Sequence, residues 1–375
     1  MAIADLLDTI GDTPLLRIPK LGRPGEGEVL LKYERYNPGG SVKDRPAKYI
    51  VEEAERAGLL QPGGTIIESS SGNFGISLAM IGAAKGYRVV ILADPKTTAA
   101  NLAVLQAFGA EVIVVTEKDD CGSYHKTRIA AANKLAEELP GAYRPDQCFN
   151  LLNSEAHHGT TAREIVEGCP PGLGAFVTAV STGGQLGGIS RYLKRHAPGV
   201  RIAGVDAVGS AIFGGPSAGY RIPGIGLGWT PTNIDVELVD EAYKIPDEQA
   251  FVAARTLARR EGILVGPSSG ACLVAALHLA QRMRPGEYVV CMVADGGERY
   301  LQTLFDEDWM RDQGFALEAE PERIRTWASE LRPWSTQSAE MANYRHELTE
   351  ELAVPASTLR QNDELLGRMR RERLG

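Results

Sequence analysis

Residues 65–86 read TIIESSSGNFGISLAMIGAAKG. A short run rich in β-branched residues, TIIES (65–69), enters a serine- and glycine-rich turn, SSSGNFG (69–75). An Ala-rich stretch follows and closes at Gly86. A brief apolar run bounded by turn residues predicts a buried strand, and the stretch closing on glycine predicts a helix. The same unit recurs outward along the chain. EVLLKYE (28–34), RVVILA (88–93), EVIVVT (111–116), AFVTAVS (175–181), RIAGVDA (201–207) and YVVCMVAD (288–295) all read as strands, and AANLAVLQAFGA reads as a helix ending near Gly109. This alternation predicts an α/β protein whose mainly parallel sheets are covered by helices.

The 375 residues are enough for two domains, and 43% hydrophobic with 23% charged residues is ordinary for a folded globular protein. A net charge of −8 without a basic block disfavours nucleic acid and anionic membrane as partners. The opening MAIADLLDTIGDTPLL has early acids and no positively charged segment before an apolar run. No 18 uncharged apolar residues occur together, so a cytoplasmic protein is expected. Cys121, Cys148, Cys169, Cys272 and Cys291 are odd in number, widely spaced and free of CxxC, which argues against a disulfide framework or a zinc site. His157 and His158 diverge on a helix and lack ligands at metal spacing; they read as surface or packing residues, and no metal is expected. From about residue 311 the composition turns charged with scattered Trp and Leu, as in RTWASELRPWSTQSAEMANYRHELTEEL. It reads as an appended helical segment packed on the core or on a second subunit.

In open α/β sheets, ligands bind beyond the carboxyl ends of strands, where glycine-rich turns enter helices. SSSGNFG and STGGQLGG (181–188) both stand there. Gly183, Gly184, Gly187 and Gly188 let the backbone approach an anion, and Ser181 and Thr182 add hydroxyl donors. The same glycines would equally serve tight helix packing, and this segment alone leaves the two readings even. It lacks the GK[ST] ending of a P-loop and the spacing of GxGxxG, which disfavours nucleotide hydrolysis and dinucleotide binding. NPGGSVKDRPAKYI (37–50) places Lys43 at a helix start with Ser41 as its cap. A lysine in a first turn opposes the helix dipole unless it is bound to something. The competing reading is a solvated lysine paired with Asp44 or Glu53.

NPGGSVKDRPA, ESSSGNFG, STGGQLGG, GIG (224–226) and GPSSGA (266–271) occur in the order and approximate spacing of one family. Over roughly residues 5–310 the chain resembles the fold type II pyridoxal-phosphate (PLP) enzymes of the cysteine synthase and cystathionine β-synthase family. NPGGSVKDRPAKYI, SGNFGISLAMI, ADPKTT, VDAVGSAIFG and GGERYL make it similar to the N-(2-amino-2-carboxyethyl)-L-glutamate synthase branch. The resemblance implies two open, twisted, mainly parallel sheets flanked by helices, with the cofactor in the cleft between domains. It assigns residues 1–40 and 151–310 to a larger PLP-binding domain, 41–150 to a smaller domain with a mobile substrate-closing part, and 311–375 to a C-terminal helical extension.

The resemblance also implies roles for residues. Lys43 is the Schiff-base lysine, and Asn73 hydrogen-bonds the PLP 3′-oxygen. Ser181, Thr182, Gly183, Gly184 and Gln185 form the phosphate loop, with Gln185 replacing a threonine common in cysteine synthases. Ser268 meets the pyridine nitrogen, although a helix N-cap is its alternative. Ser70, Ser71, Gly72 and Asn73, completed by Gln147, grip the substrate α-carboxylate. Arg128 and Ser181 match substrate-side residues of the branch, Arg128 pairing with phosphate or a dicarboxylate; an exposed helix arginine is the plainer reading. Phe74 replaces a threonine and is expected to reshape the entrance. Cys148 stands where the branch has tyrosine, which puts the nucleophile in doubt.

A neutral hydroxyl at the pyridine nitrogen suits prompt loss of a β-substituent better than a long-lived carbanion. Lys43, as base for the Cα proton, requires a desolvated site. The implied activity is β-replacement through an aminoacrylate intermediate, joining O-phospho-L-serine to an amino acid amine, L-glutamate favoured, in 2,3-diaminopropionate (siderophore) biosynthesis. Two alternatives stay open: a cysteine synthase-like or S-sulfocysteine synthase-like enzyme using O-phosphoserine or O-acetylserine with a sulfur nucleophile, and a catalytically silent binding module. Small amino acids are the implied partners, and a homodimer the implied assembly.

Overall fold

The computed structural model describes residues 5–119, 122–334 and 354–374. Ten strands form two sheets: β1 (Leu15–Arg17), β2 (Glu28–Tyr33), β3 (Thr65–Ser69), β4 (Arg88–Ala93), β5 (Glu111–Val114), β6 (Ala142–Tyr143), β7 (Leu173–Ala179), β8 (Arg201–Ala207), β9 (Glu241–Ile245) and β10 (Tyr288–Val293). The larger sheet has the order β1-β2-β10-β7-β8-β9 and the smaller the order β5-β4-β3-β6. Every pairing is parallel except β1 with β2. All six residues of β10 are buried, as expected for a central strand with helices on both faces. The α/β expectation and its parallel sheets therefore hold.

The helices are α1 (Asp44–Arg56), α2 (Asn73–Lys85), α3 (Ala99–Ala107), α4 (His125–Glu138), α5 (Leu152–Gly159), α6 (Thr161–Gly168), α7 (Gly184–His196), α8 (Asp247–Glu261), α9 (Pro267–Ala280), α10 (Glu307–Asp312), α11 (Pro321–Glu330) and α12 (Ala356–Leu374). Gly86 closes α2 in the left-handed conformation, at φ +78°, which glycine adopts without steric cost. Separate apolar clusters pack the layers of the two sheets. One joins the larger sheet to α8 and α9, and another joins the smaller sheet to α1 and α2.

Three strands escaped the sequence reading. β1 and β6 have three and two residues, too short to show a period, and β9 is a half-buried edge strand. The appended C-terminal segment is helical where it is described, as α11 and α12, while 335–353 lies outside the described residues. α11 packs on α8 and α9, and α12 packs on α5. Gln361 of α12 accepts hydrogen bonds from the Tyr143 hydroxyl and Asn150 Nδ2, both at 2.9 Å. Asn362 accepts from Leu151 N at 2.8 Å and donates to the Phe149 carbonyl at 3.0 Å. The last helix thus grips residues 143–153.

Candidate active site

Lys43 is placed by the residues beside it. Two positions on, Arg45 donates to Glu34 and to Glu164, both at 2.6 Å, and Lys32 joins Glu164 at 2.6 Å. Glu34, Arg45 and Lys32 are buried, so this network pins the start of α1 against β2 and α6. Val42 N donates to the Ala294 carbonyl at 2.8 Å, tying the chain before Lys43 to the end of β10. The Lys43 amine itself has no hydrogen bond or ion pair among the described residues. Burial brings it down to about 8, against the opposing influence of Cys148 and Asp295. The solvated-lysine reading fails, because Asp44 accepts from Gly39 N and from the Ser77 hydroxyl, and Glu53 is paired with Arg56 and Arg368. Ser41 is not the cap: α1 begins at Asp44, and the Ser41 hydroxyl accepts from Lys43 N at 3.2 Å.

Asn73 opens α2, with Nδ2 on Asp295 at 2.7 Å and its side-chain oxygen accepting from Arg299. Ser268 lies in the first turn of α9, where Gly266 is the capping residue, so the N-cap reading of Ser268 is displaced. Ser268 is 4% exposed as a residue, and its hydroxyl makes no hydrogen bond among the described residues. Gly266 N donates to the Asp295 carbonyl at 3.3 Å, and Ser41 bridges to Asp295. The turns that carry Lys43, Asn73 and Ser268 therefore converge on one residue.

Ser181 through Gln185 join β7 to α7, and Gly183, at φ +88°, caps the helix. A Cβ on Gly184 would stand 2.0 Å from Asn153 Oδ1, on Gly187 1.7 Å from the Asn233 carbonyl, and on Gly188 2.0 Å from the Ser154 carbonyl. Gly187 and Gly188 are explained by this close packing, which the sequence had left even with anion binding. Gly183, where a Cβ would stand 2.6 Å from Ile234 Cγ1, and Gly184 are close-packed against side chains rather than main chain. Gln185 is buried with its Oε1 unpartnered.

The substrate-side residues meet this loop through two asparagines. Asn153 Nδ2 donates to Thr182 Oγ1 at 3.0 Å and to the Gln147 carbonyl at 2.8 Å, and Asn233 Nδ2 reaches the Cys148 carbonyl at 3.3 Å. Glu68 accepts from Ser69 N at 2.7 Å and Gln147 N at 3.3 Å, and Gln147 Nε2 donates to the Ser69 carbonyl at 3.3 Å. The Ser70 hydroxyl accepts from Gly75 N at 3.0 Å and retains its own proton for donation. The Ser71 carbonyl holds Asn101, and Gly72 caps α2. Glu68 is buried beside Arg144 and Asp146; burial pushes its carboxyl up to about 7, opposed by Arg144.

Two expectations need correction. Arg128 is neither exposed nor unpaired: it is buried on α4 with Nη1 on Asp94 Oδ2 at 2.7 Å, so a carboxylate already holds part of its charge. Phe74 is 2% exposed within the apolar cluster under α1 and α2, where it acts as core packing. Cys148 is half-buried and lies within electrostatic range of both Lys43 and Arg128, and burial pushes its thiol up to about 12. Asp295, Arg299, Glu68, Asn153 and Asn233 were missed as site residues. Asp295 and Glu68 carried the one available signal, an acid at or near the carboxyl end of a predicted strand.

This donor set fits PLP: an unpaired amine desolvated by burial, a serine hydroxyl without a protein partner at a helix start, and a glycine turn presenting backbone N–H groups. The comparisons agree. The family model "Pyridoxal-phosphate dependent enzyme" matches residues 6–295. The chain belongs to this family. A probable cysteine synthase of Bacillus subtilis (strain 168) is 43% identical over 306 residues, covering 80% of this chain and 97% of that protein. An N-(2-amino-2-carboxyethyl)-L-glutamate synthase of Cupriavidus metallidurans is 40% identical, covering 83% and 92%. The crystal structure of an O-ureido-L-serine synthase superposes with a TM-score of 0.75 at 35% identity, covering 82% and 96%. The protein is a fold type II, PLP-dependent β-replacement enzyme of the cysteine synthase and cystathionine β-synthase group. Among the described residues no cluster suits a metal ion, and no helix is long and apolar enough to cross a membrane.

Proposed function

We propose that the protein replaces the phosphate of O-phospho-L-serine with an amino acid amine, L-glutamate favoured, giving N-(2-amino-2-carboxyethyl)-L-glutamate and phosphate. The 40% identity to an N-(2-amino-2-carboxyethyl)-L-glutamate synthase supports glutamate as nucleophile, and the unpaired Lys43 amine, which burial brings down to about 8, carries the β-replacement chemistry. Near neutral pH such an amine both takes and returns a proton. PLP, when bound, supplies the electron withdrawal that makes the substrate Cα–H acidic.

The chain's residues do the rest. Lys43 Nζ takes the Cα proton, the Cβ–O bond breaks with its electron pair leaving on phosphate, and the nucleophile's electron pair forms the new bond to Cβ. The nucleophile releases its proton, and Cα is reprotonated from Lys43. Ser181, Thr182, Gly183, Gly184 and Gln185 bind the cofactor phosphate, Ser268 meets the ring nitrogen with a neutral hydroxyl, and Asn73 meets the ring oxygen. Ser70, Ser71, Gly72, Asn73 and Gln147 hold the substrate carboxylate. The 41–150 lobe closes over the lobe formed by 1–40 and 151–310. Arg128, Cys148 and Ser181 face the leaving group or the nucleophile. The enzyme is taken to act in the cytoplasm as a homodimer, which size-exclusion chromatography with light scattering tests.

A second reading, sulfur addition to O-phosphoserine or O-acetylserine, is favoured by two observations. Arg128 is partly neutralised by Asp94, and Cys148 offers no phenol. The PLP-loaded enzyme is mixed with each serine ester and then with glutamate, aspartate, sulfide or thiosulfate singly, and products are read by mass spectrometry. Diaminopropionate-type product from O-phosphoserine and glutamate supports the first reading. Cysteine or S-sulfocysteine alone sinks it in favour of the second.

A further inference from the structure

Asp295 lies two residues beyond β10, and its carboxylate is almost fully buried. Its Oδ2 accepts from Asn73 Nδ2 at 2.7 Å and from the Tyr300 hydroxyl at 2.6 Å; Oδ1 has no hydrogen-bond partner. Both neighbours donate to Oδ2, so Asp295 is the acceptor at that atom, while burial pushes its carboxyl up. At the other end of the Asn73 amide, Arg299 Nη1 donates to Oδ1, and Arg299 Nη2 donates to the Gly39 carbonyl in the turn before Lys43. An amide with a carboxylate at its nitrogen and a guanidinium at its oxygen has one orientation. Turning it over would set oxygen against oxygen and N–H against N–H. One Asn73 N–H remains unspent. Gly266 keeps the space for the carboxylate, since a Cβ there would stand 2.0 Å from Asp295 Oδ1.

We propose that Asp295 and Arg299 are positioning residues for the cofactor: together they fix the Asn73 amide in the single orientation that leaves one N–H for PLP. The inference rests on the reading that Lys43 and Asn73 hold PLP. It assigns a reason for an aspartate and an arginine in DGGERYL, and it makes the contact between the smaller-sheet turn at Asn73 and the larger-sheet segment 295–299 part of cofactor binding.

The test is a double-mutant cycle read on PLP dissociation and on the position of the visible absorbance band, which a purely structural role would leave unmoved. Asp295→Asn is expected to weaken PLP retention about tenfold, the loss of a charge-assisted contact. Asn73→Ala weakens it comparably, and adding Asp295→Asn to Asn73→Ala changes it no further. Arg299→Met repeats the cycle from the opposite end of the amide should Asp295→Asn fail to fold, with circular dichroism and melting temperature checking each variant. Equal weakening with and without Asn73, or no weakening in the parent background, overturns the proposal. A parent protein whose visible band survives Lys43→Ala unchanged sinks instead the reading on which it rests.

Discussion

At the start of α7, glycines press against the main chain of their neighbours: Gly187 on the Asn233 carbonyl and Gly188 on the Ser154 carbonyl. At the start of α2, the turn is held by side chains. Ser70 accepts from Gly75 N, Asn101 holds the Ser71 carbonyl, and Asp295 with Arg299 brackets Asn73. Both turns enter a helix at the carboxyl edge of a parallel strand, yet one is fixed by fit and the other by replaceable hydrogen bonds. Fit is nearly all-or-none, because packed main chain has nowhere to move. Hydrogen bonds can be remade, which suits the substrate-gripping role proposed for the α2 turn.

That contrast can be broken in steps. Lys43, the proposed cofactor lysine, has the largest effect: Lys43→Ala is expected to abolish turnover while leaving the circular dichroism spectrum intact, and persistent steady-state activity would remove Lys43 from its role. In the parent apoprotein, PLP uptake needs the neutral amine. Its rate should fall about tenfold per pH unit below the folded-state pKa and level off above about 8, as stopped-flow absorbance would show. At the tightly packed turn, Gly187→Ala forces a Cβ onto main chain and should cost about 3 kcal/mol with loss of PLP retention; an unchanged melting temperature contradicts fixation by fit. In the segment that joins the turns, Gln361→Ala strips a shared acceptor from buried Tyr143 and Asn150. It should cost about 2 kcal/mol in urea denaturation and raise KM more than it lowers kcat. Ser70→Ala should cost only about 1 kcal/mol and raise KM with the visible band unmoved. A band shift there would show that the hydrogen-bonded turn also shapes the cofactor site.

The strand and helix order was legible because apolar runs such as RVVILA and YVVCMVAD are the signature of buried parallel strands. β9 was not, since EAYKI mixes charge with apolar residues at a sheet edge. Helix caps misled by two residues each: Ser41 and Ser268 have capping chemistry, but the capping positions fall at Lys43 and Gly266. Arg128 and Phe74 show the limit of reading roles by position. Each sits at the expected place in the chain, but Asp94 claims part of the arginine's charge and the core claims the ring, and such partners are set by tertiary contacts. Asp295 was hidden for the same reason, its partners being Asn73, far away in sequence, and Tyr300.

The grip of α12 on residues 143–153 gives biosynthesis an order. On a ribosome, the Gln147 segment emerges some two hundred residues before Gln361, so Tyr143 and Asn150 wait for their shared acceptor until the last helix is made. Domains generally fold as they emerge, N-terminal parts first. Here the segment around Tyr143 and Asn150 would gain its final hydrogen bonds among the last, once α12 has docked.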